Sequence, residues 1–328
     1  MNSVPTKFTR LDMNRLITFT QQAFQKVGTN EKDASLMAKL LVETDLRGVF
    51  SHGTRQLDGY IQMMIDQKVN PRPNIQNEVS SQTTAIFDGD GGMGHLPSYQ
   101  AAQFVVEAAK SFGIAGAVTR NHFHFGAAGT YSRLALEQDC IGFSTSAHRF
   151  RPSKDHSILS ASGASPISFA IPAGKQPPIV IDMGAYLGGS GELSQDQLFK
   201  YIPATFFKFI GLGAAAHMMG GFMAGIWMSD PEIDQNAWEG ANQGAFICAI
   251  DISRFRDLEH FKQEVDRHQK DIQQMIPAPG YDHANLPGTL EYQREKEWAQ
   301  IGIPIGIDHQ SILNVVANKI GLEPLFSN

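Results

Sequence analysis

Short apolar segments alternate with helical segments between residues 83 and 251, and this alternation restricts the chain to the α/β class. The apolar segments have the length of strands and are bounded by turn residues. They cover 83–88, 114–119, 141–145, 167–172, 179–182 and 245–251. An alanine-rich helix is predicted around 98–112, before Gly113, and another near 127–138. We therefore expect a sheet with helices packed on it.

The first seventy residues show helical periodicity instead. Asn30 is a candidate cap for a helix that starts at Glu31, where acidic side chains complement the positive end of the helix dipole. A second amphipathic pattern runs over 57–65. The polar segment 47–55 separates the two helices and contains glycines that break them, so it is predicted to lie at a helix–helix junction.

These patterns predict three regions along the chain. An N-terminal helical region spans 1–75 and carries a Ser-His-Gly motif. An α/β domain spans 76–255, and a C-terminal helical region at 256–328 packs back on the N-terminal part.

Charge and cysteine content restrict the partners and the compartment. Lys and Arg total 27 against 33 Asp and Glu, and no basic block is present to neutralise phosphates. A nucleic-acid partner is therefore not expected. Two cysteines make neither a disulfide framework nor a four-thiolate zinc site, and the N-terminal residues lack the apolar core of a secretory signal. We expect a reducing, cytoplasmic setting.

One apolar segment, 209–228, has the length of a membrane-spanning helix. It contains five glycines, and no second hydrophobic span accompanies it. These features favour a buried or subunit-interface helix over a membrane helix, and no membrane partner is expected.

The motif Ser51-His52-Gly53 combines a hydroxyl with an imidazole just before an amphipathic helix, and Arg47 and Arg55 lie nearby. These groups are sufficient to bind an anionic substrate and to transfer a proton. The positive end of a helix dipole disfavours imidazolium, so His52 is expected to be neutral near pH 7. The alternative is that Ser51 only caps the helix and His52 is an ordinary surface residue.

Two further motifs allow more than one interpretation. The segment 89–94 matches G-x-G-x-x-G between a strand and a helix, which fits either a dinucleotide-binding loop or a tight glycine turn. His122 and His124 form an H-x-H pattern, and on a strand both side chains would share one face. Hydrogen bonding at a strand end is preferred over metal binding, because two histidines do not complete a zinc site, and a plain core histidine is the remaining alternative; no metal is expected.

Seven segments, taken in order, resemble the malate/L-lactate dehydrogenase family, and the likeness spans nearly the whole chain. The segments are 41–61, 89–95, 120–137, 168–172, 179–184, 206–226 and 286–305. The most specific part is Leu46-Arg47-Gly48 followed by Ser51-His52-Gly53. The chain is similar to a divergent member of this family.

This resemblance implies a non-Rossmann α/β fold with a mixed or antiparallel central sheet, assembled as a homodimer. It implies NAD- or NADP-dependent reduction of a small 2-oxo acid or a cyclic imino acid. It also replaces the dinucleotide-binding interpretation of segment 89–94 with that of a glycine turn.

The resemblance also assigns roles on the substrate side. By position, His52 matches the proton donor and acceptor, and Ser51 matches its neighbour in the proton relay. Arg47 matches a contact to the substrate carboxylate, and Arg55 is a second candidate for that contact. His124 matches the histidine of the family's His-Phe-Gly strand end and is expected to bind substrate.

The resemblance makes the α/β domain at 76–255 the expected cofactor and substrate domain. On the cofactor side, Asp182, Met183 and Gly184 match a stretch that contacts the cofactor. Lys208 matches a lysine on the cofactor side, and Gly288 matches a Pro-Gly turn near the nicotinamide nucleotide. Asp182 has an alternative role, which is to orient the catalytic histidine.

The chain departs from the family pattern mainly on the cofactor side. It has Gly-Ala-Ser-Pro at 163–166 where the family usually has Gly-Thr-Asn-Pro, and Phe-Lys-Phe at 207–209 where His-Lys-Gly is frequent. These changes leave two alternatives to hydride transfer. One is non-redox acid–base chemistry on a small carboxylate, as in an isomerase, lyase or cyclase, and the other is a binding protein with a degenerate pocket.

Overall fold

The central strands form one seven-stranded mixed sheet. The computed structural model describes residues 3–79, 81–150, 152–161, 163–188, 194–226 and 238–327. Within these ranges the strands are β1 (Phe8–Leu11), β2 (Gln76–Val79), β3 (Thr84–Asp88), β4 (Ile114–His122), β5 (Cys140–His148), β6 (Pro166–Ile171), β7 (Ile179–Gly184), β8 (Gln243–Asp251) and β9 (Ile303–Gly306).

Helices precede, interrupt and follow the sheet strands. They are α1 (Met13–Lys26), α2 (Glu31–Leu46), α3 (Leu57–Ile65), α4 (His95–Phe112), α5 (Ala128–Leu134), α6 (Gln195–Tyr201), α7 (Pro203–His217), α8 (Leu258–Gln273), α9 (Thr289–Ile301) and α10 (Ile307–Ile320). The side chain of Asn30 caps α2 by accepting a hydrogen bond from the N–H of Asp33, as predicted.

The large sheet has the strand order β2-β3-β4-β8-β5-β6-β7. The neighbours β3 and β4 are parallel, and every other adjacent pair in this sheet is antiparallel. A separate antiparallel pair joins β1 to β9. The mixed sheet with flanking helices confirms the predicted fold class, and the six predicted strands are all present.

Small residues allow α4 to lie close to the sheet. The helix packs against β3, β4 and β8, and the contact is built largely from alanines. These include Ala101, Ala102 and Ala109 on the helix and Ala115, Ala117, Ala245 and Ala249 on the strands. Gly113 ends the helix with φ of 99°, a conformation that glycine adopts without strain.

The first and last helices of the chain share a second core. Leu16, Phe24 and Leu41 from α1 and α2 are fully buried, and they belong to the same cluster as Trp298 of α9 and Leu313 of α10. Helix α8 is attached elsewhere, because Asp266 accepts hydrogen bonds from the backbone N–H groups of residues 174–176 after β6.

The junction predicted at 47–55 is present, and it positions the Ser-His-Gly motif. Helix α2 ends at Leu46 and α3 begins at Leu57. Between them the chain forms two short 3₁₀ turns, Phe50–His52 and Thr54–Gln56.

The glycine segment 89–94 forms a tight turn between β3 and α4. Gly91 has φ of 74°, and the carboxylate of Asp90 accepts hydrogen bonds from the Asn74 N–H and the Asn70 amide. A Cβ on Gly94 would lie 2.4 Å from Nδ1 of His122. The glycines are therefore required for close packing, in agreement with the glycine-turn interpretation.

The apolar segment 209–228 forms the second part of α7 and a π-helical turn, Met218–Phe222. Residues 227 and 228 lie outside the described residues. In the ranges that the structure describes, no single helix is long and apolar enough to cross a membrane. Helix α6 and the helical segment Pro203–Phe222 reach that length and apolar composition only when they are taken together, and the two are bent by 120° relative to each other. One side of α7 is buried at Phe206 and Ala216, and the other side exposes Phe207 and Leu212.

Candidate active site

A cavity of about 630 Å³ lies between the end of the sheet and the junction that carries Ser51 and His52. This volume is within the usual range for small-molecule and cofactor sites. Residues from β5, β6 and β7, from the loop before α5 and from the start of α9 complete the wall. The polar side chains among its lining are those of Ser51, His52, His124, Arg133, Ser146, His148, Ser165, Asp182, Tyr186, Gln243 and Glu291.

The 3₁₀ turn Phe50–His52 holds the two residues of the motif. The Ser51 hydroxyl lies 2.9 Å from Nδ1 of His52, which leaves Nε2 for a ligand. Nε2 of Gln56 donates to the backbone oxygen of Ser51 at 2.7 Å. Burial lowers the pKa of His52, and the nearby carboxylate of Asp182 opposes this shift. The predicted neutral state is thus supported by burial and not by a helix dipole, since α3 begins only at Leu57.

The two histidines of the H-x-H pattern have different surroundings, so the predicted common face is wrong. The register of β4 shifts between Thr119 and His122, and Asn121 has φ of 53°. His122 is fully buried, and its Nε2 lies 2.8 Å from the Thr119 hydroxyl. His124 follows the end of the strand and lines the cavity, with its ring centroid 5.6 Å from that of His52.

The Tyr60 hydroxyl pairs with one nitrogen of the His124 ring. The hydroxyl oxygen lies 2.6 Å from Nδ1 of His124. Burial raises the pKa of Tyr60, so the phenol keeps its proton, and burial lowers the pKa of His124 to about 4. A protonated phenol can donate to Nδ1 of the neutral ring, and in this arrangement Nε2 of His124 carries the hydrogen.

Asp182 and Arg133 belong to the charged part of the wall, together with Glu291. Burial raises the pKa of Asp182, against the effects of Arg133, the Gly129 N–H and His52. Burial lowers the pKa of Arg133 to about 10, so its guanidinium stays charged at neutral pH. A Cβ on Gly129 would lie 2.3 Å from Arg133 and 2.6 Å from Asp182, so glycine is needed at that position.

The predicted site residues are only partly brought together. Ser51, His52, His124, Asp182, Met183 and Gly184 line the cavity. Gly288 has φ of 98° and packs on Val180, while its neighbour Pro287 lines the cavity. Lys208 is exposed on α7 and is not among the lining residues.

The two arginines predicted to hold the substrate carboxylate lie outside the lining. Arg47 is buried, and its guanidinium pairs with Glu295 of α9 at 3.1 Å. Arg55 lines a separate groove beside Lys7 and His309. The guanidinium that does line the cavity belongs to Arg133, which the sequence did not single out.

His148 and Glu291 are also lining residues that the sequence analysis did not assign. His148 ends β5, and Glu291 lies in the first turn of α9. Position relative to the recognised motifs could have indicated two of the missed residues. Glu291 comes shortly after the Pro-Gly turn, and Arg133 lies in the helix that follows the His-Phe-Gly strand end. Across the described ranges, no group of three or more His, Cys, Asp or Glu residues could hold a metal ion.

The chain is similar to known dehydrogenases over nearly its whole length. The malate dehydrogenase of Pyrococcus horikoshii is 27% identical over 98% of each chain. The L-sulfolactate dehydrogenase of Methanocaldococcus jannaschii is 28% identical over 91% of this chain and 93% of its own length. The solved structure of the Pyrococcus horikoshii malate dehydrogenase superimposes with a TM-score of 0.84 at 28% identity and covers 99% of each chain.

The family profile described as malate/L-lactate dehydrogenase matches residues 11–195 and 192–313, which together make up most of the chain. The resemblance seen in the sequence is therefore confirmed, and the chain belongs to the malate/L-lactate dehydrogenase family.

Proposed function

We propose that the protein transfers a hydride between NAD or NADP and the C2 atom of a small 2-oxo acid or cyclic imino acid, with His52 as proton donor and acceptor. The carrying observation is that one cavity is lined by the imidazoles of His52 and His124, the Arg133 guanidinium and the Asp182 carboxylate. Membership of a dehydrogenase family supports the redox step.

The cavity has a shape that suits a nicotinamide ring. Small side chains, including Ala127, Ala128, Ala164 and Ser165, line the wall and leave room for a planar group. Asp182, Met183 and Gly184, at the end of β7, are the residues that would hold the nucleotide. When bound, the nucleotide supplies the hydride that reaches C2.

His52 completes the reaction on the substrate oxygen or nitrogen. In reduction the protonated ring gives its Nε2 proton to the oxygen or nitrogen on C2 and becomes neutral, and in oxidation neutral Nε2 takes that proton back. The Ser51 hydroxyl at Nδ1 keeps the ring oriented. The Nε2–H of His124 is available as a second hydrogen-bond donor to the substrate.

Arg133 is the residue that we propose for the substrate carboxylate. A guanidinium binds a carboxylate through two parallel hydrogen bonds and so fixes its orientation as well as its charge. Arg47 contributes positive potential from behind the wall, because it interacts electrostatically with both Arg133 and Asp182.

The relatives described above are named as dehydrogenases, and none of these names favours non-redox chemistry. The proposal therefore keeps hydride transfer in spite of the altered segments at 163–166 and 207–209. We also propose a reducing, cytoplasmic setting, in keeping with the free thiols of Cys140 and Cys248.

A homodimer is part of the proposal. The exposed face of α7 and of the turn after it carries Phe207, Leu212, Met218 and Phe222, between 38% and 56% exposed, which is apolar surface suited to a second copy of the chain. Sedimentation analysis of Leu212→Asp should show a shift from dimer to monomer relative to the wild type.

The activity is tested by following NADH and NADPH oxidation with a panel of 2-oxo acids, which also decides between the two nucleotides. We expect His52→Ala to reduce turnover about 10²–10⁴-fold, the usual contribution of a general acid. His260→Ala is the matched control, because His260 lies exposed on α8. Unchanged turnover in His52→Ala, or no oxidation with any acid, would contradict the proposal.

A further inference from the structure

A second cavity, of about 490 Å³, adjoins the first. The two cavities share Ser51, His52, His124 and Gln243 as lining residues. The ring pair of His52 and His124 therefore has one cavity on each side. A substrate whose reacting carbon lies at His52 can extend past these rings into the second cavity.

Apart from the two shared histidines, the described residues that line the second cavity carry no charge. The lining combines the amides of Gln56, Gln62 and Gln243 with apolar surface from Met63 and Phe123. A Cβ on Gly59, which also lines it, would meet nothing within 4 Å, so there is free space beside Gly59 for part of a ligand.

The amides offer acceptors for hydrogen bonds. Nε2 of Gln56 is engaged with the Ser51 oxygen, and Nε2 of Gln62 donates to the Asp66 carboxylate at 2.8 Å. Within the described part of the chain, the Oε1 atoms of these two glutamines have no hydrogen-bond partner. Oxygen acceptors suit a ligand with an N–H or O–H group and repel a carboxylate.

Charged groups near the second cavity do not offset this repulsion of a carboxylate. On the outer side of α3, Asp58 pairs with Lys319 at 2.5 Å, and beyond the helix Lys68 pairs with Glu239 at 3.2 Å. Asp66, which holds Gln62, adds negative charge. A carboxylate moved from water into the second cavity would lose its hydration without gaining a cationic partner.

We propose that the second cavity binds the side chain of the substrate, and that it selects 2-oxo acids with an uncharged side chain over dicarboxylates. This inference rests on the proposed function, because it assumes that the C2 atom and its carboxylate lie in the first cavity, near Arg133. It gives the chain a preference that differs from the malate named for its relatives.

The test compares two acids of nearly equal shape, 4-methyl-2-oxopentanoate and oxaloacetate, which differ by an isopropyl group in place of a carboxylate. We expect kcat/KM to be at least about tenfold higher for 4-methyl-2-oxopentanoate, since an unpaired buried charge costs more than one lost contact. Oxidation of NAD(P)H by both acids with oxaloacetate equal or better would overturn the inference and leave the proposed function intact.

Variants of Met63 test whether the side chain of the substrate binds in the second cavity. Lysine and glutamine both replace the thioether with a polar group, and only lysine adds a charge to the second cavity. We expect Met63→Lys to raise the ratio of kcat/KM for oxaloacetate over 4-methyl-2-oxopentanoate about tenfold relative to Met63→Gln. Equal ratios in the two variants would show that the side chain binds elsewhere.

Thermal shifts of the purified protein with each acid give a readout that needs no turnover. A larger shift with 4-methyl-2-oxopentanoate than with oxaloacetate supports the inference even if no nucleotide is oxidised, a result that would overturn the proposed function alone. A larger shift with oxaloacetate contradicts the inference.

Discussion

The carboxylate of Asp45 accepts two hydrogen bonds from Thr54, one from the backbone N–H at 3.0 Å and one from the hydroxyl at 2.5 Å. Asp45 lies in the last turn of α2, and Thr54 directly follows Ser51-His52-Gly53. Nε2 of His309 on α10 lies 2.9 Å from the same hydroxyl. The turn that carries the proposed general acid is therefore attached to helices from both ends of the chain.

Gly53 should be intolerant of any side chain, because its Cβ would lie 1.9 Å from Oδ1 of the fully buried Asp45. We expect Gly53→Ala to cost about 1–3 kcal/mol in the free energy of unfolding, as overpacking does, and to lower kcat by displacing His52. The matched control is Gly211→Ala in α7, where a Cβ meets nothing within 4 Å. This control should gain about 0.5–1 kcal/mol, so equal effects of the two changes in urea denaturation would contradict the prediction.

Asp45 should make stability depend on pH. Burial raises the pKa of Asp45 to about 7, although the two bonds from Thr54 oppose the shift. Between about pH 4 and 7 the folded chain keeps a proton that the unfolded chain has lost, so stability falls as the pH rises through this window. We expect the wild type to lose on the order of 2 kcal/mol more than Asp45→Asn between pH 5 and pH 8. If the free energies of unfolding of the wild type and of Asp45→Asn change with pH in parallel, this prediction is wrong.

The sequence predicted the turn that carries Ser51 and His52 because its determinants are local. Two amphipathic helices with glycines between them imply a junction, and the Ser-His-Gly motif occupies that junction. The six strands were likewise visible as short apolar segments. What the sequence alone did not reveal was their order in the sheet, in which β8 pairs with both β4 and β5.

The sequence predictions that the structure changes depend on distant partners and on backbone irregularity. Arg47 and Arg133 both lie in segments that resemble the family, yet Arg47 is drawn to Glu295, which lies far along the chain on α9. His122 and His124 are separated by one residue, but the register shift in β4 directs them to different partners. Neither the remote ion pair nor the shift has a local signature in the sequence.

Exchange of each arginine for lysine should distinguish the two candidates for the substrate carboxylate. Arg133→Lys keeps the charge and loses the forked geometry, so we expect KM for the 2-oxo acid to rise about tenfold or more. Arg47→Lys should change KM much less, because a single bond to Glu295 can be kept by lysine. Steady-state kinetics at saturating nucleotide measures KM for both variants. A larger rise in KM for Arg47→Lys than for Arg133→Lys would assign the carboxylate contact to Arg47.

Asp182 should set the pH dependence of oxidation. Its carboxylate raises the pKa of His52 against the larger lowering by burial, so Asp182→Asn should lower that pKa further. Oxidation needs neutral His52, and the acidic limb of the kcat/KM profile should therefore move to lower pH. An NMR titration of the His52 ring gives the same pKa without turnover. A shift to higher pH in either measurement would exclude this coupling.

Removal of the Tyr60 hydroxyl should allow both neutral tautomers of His124 to be populated. The phenol is the hydrogen-bond partner of Nδ1, so Tyr60→Phe leaves a buried nitrogen unpaired, at a cost of about 1–3 kcal/mol. Nitrogen NMR of the ring should show the hydrogen on Nε2 in the wild type and a mixture of tautomers in the variant. The pKa of His124 stays low because of burial, so the ring remains neutral at pH 7 in both.

Tyr131→Phe is the control for this change. Tyr131 is equally buried, and its hydroxyl donates to the backbone oxygen of Phe125. We expect a similar loss of stability in Tyr131→Phe with the His124 tautomer unchanged. Turnover should fall about tenfold in Tyr60→Phe and little in the control, since a misplaced ring hydrogen removes a donor from the substrate. An unchanged tautomer in Tyr60→Phe would mean that another group orients His124.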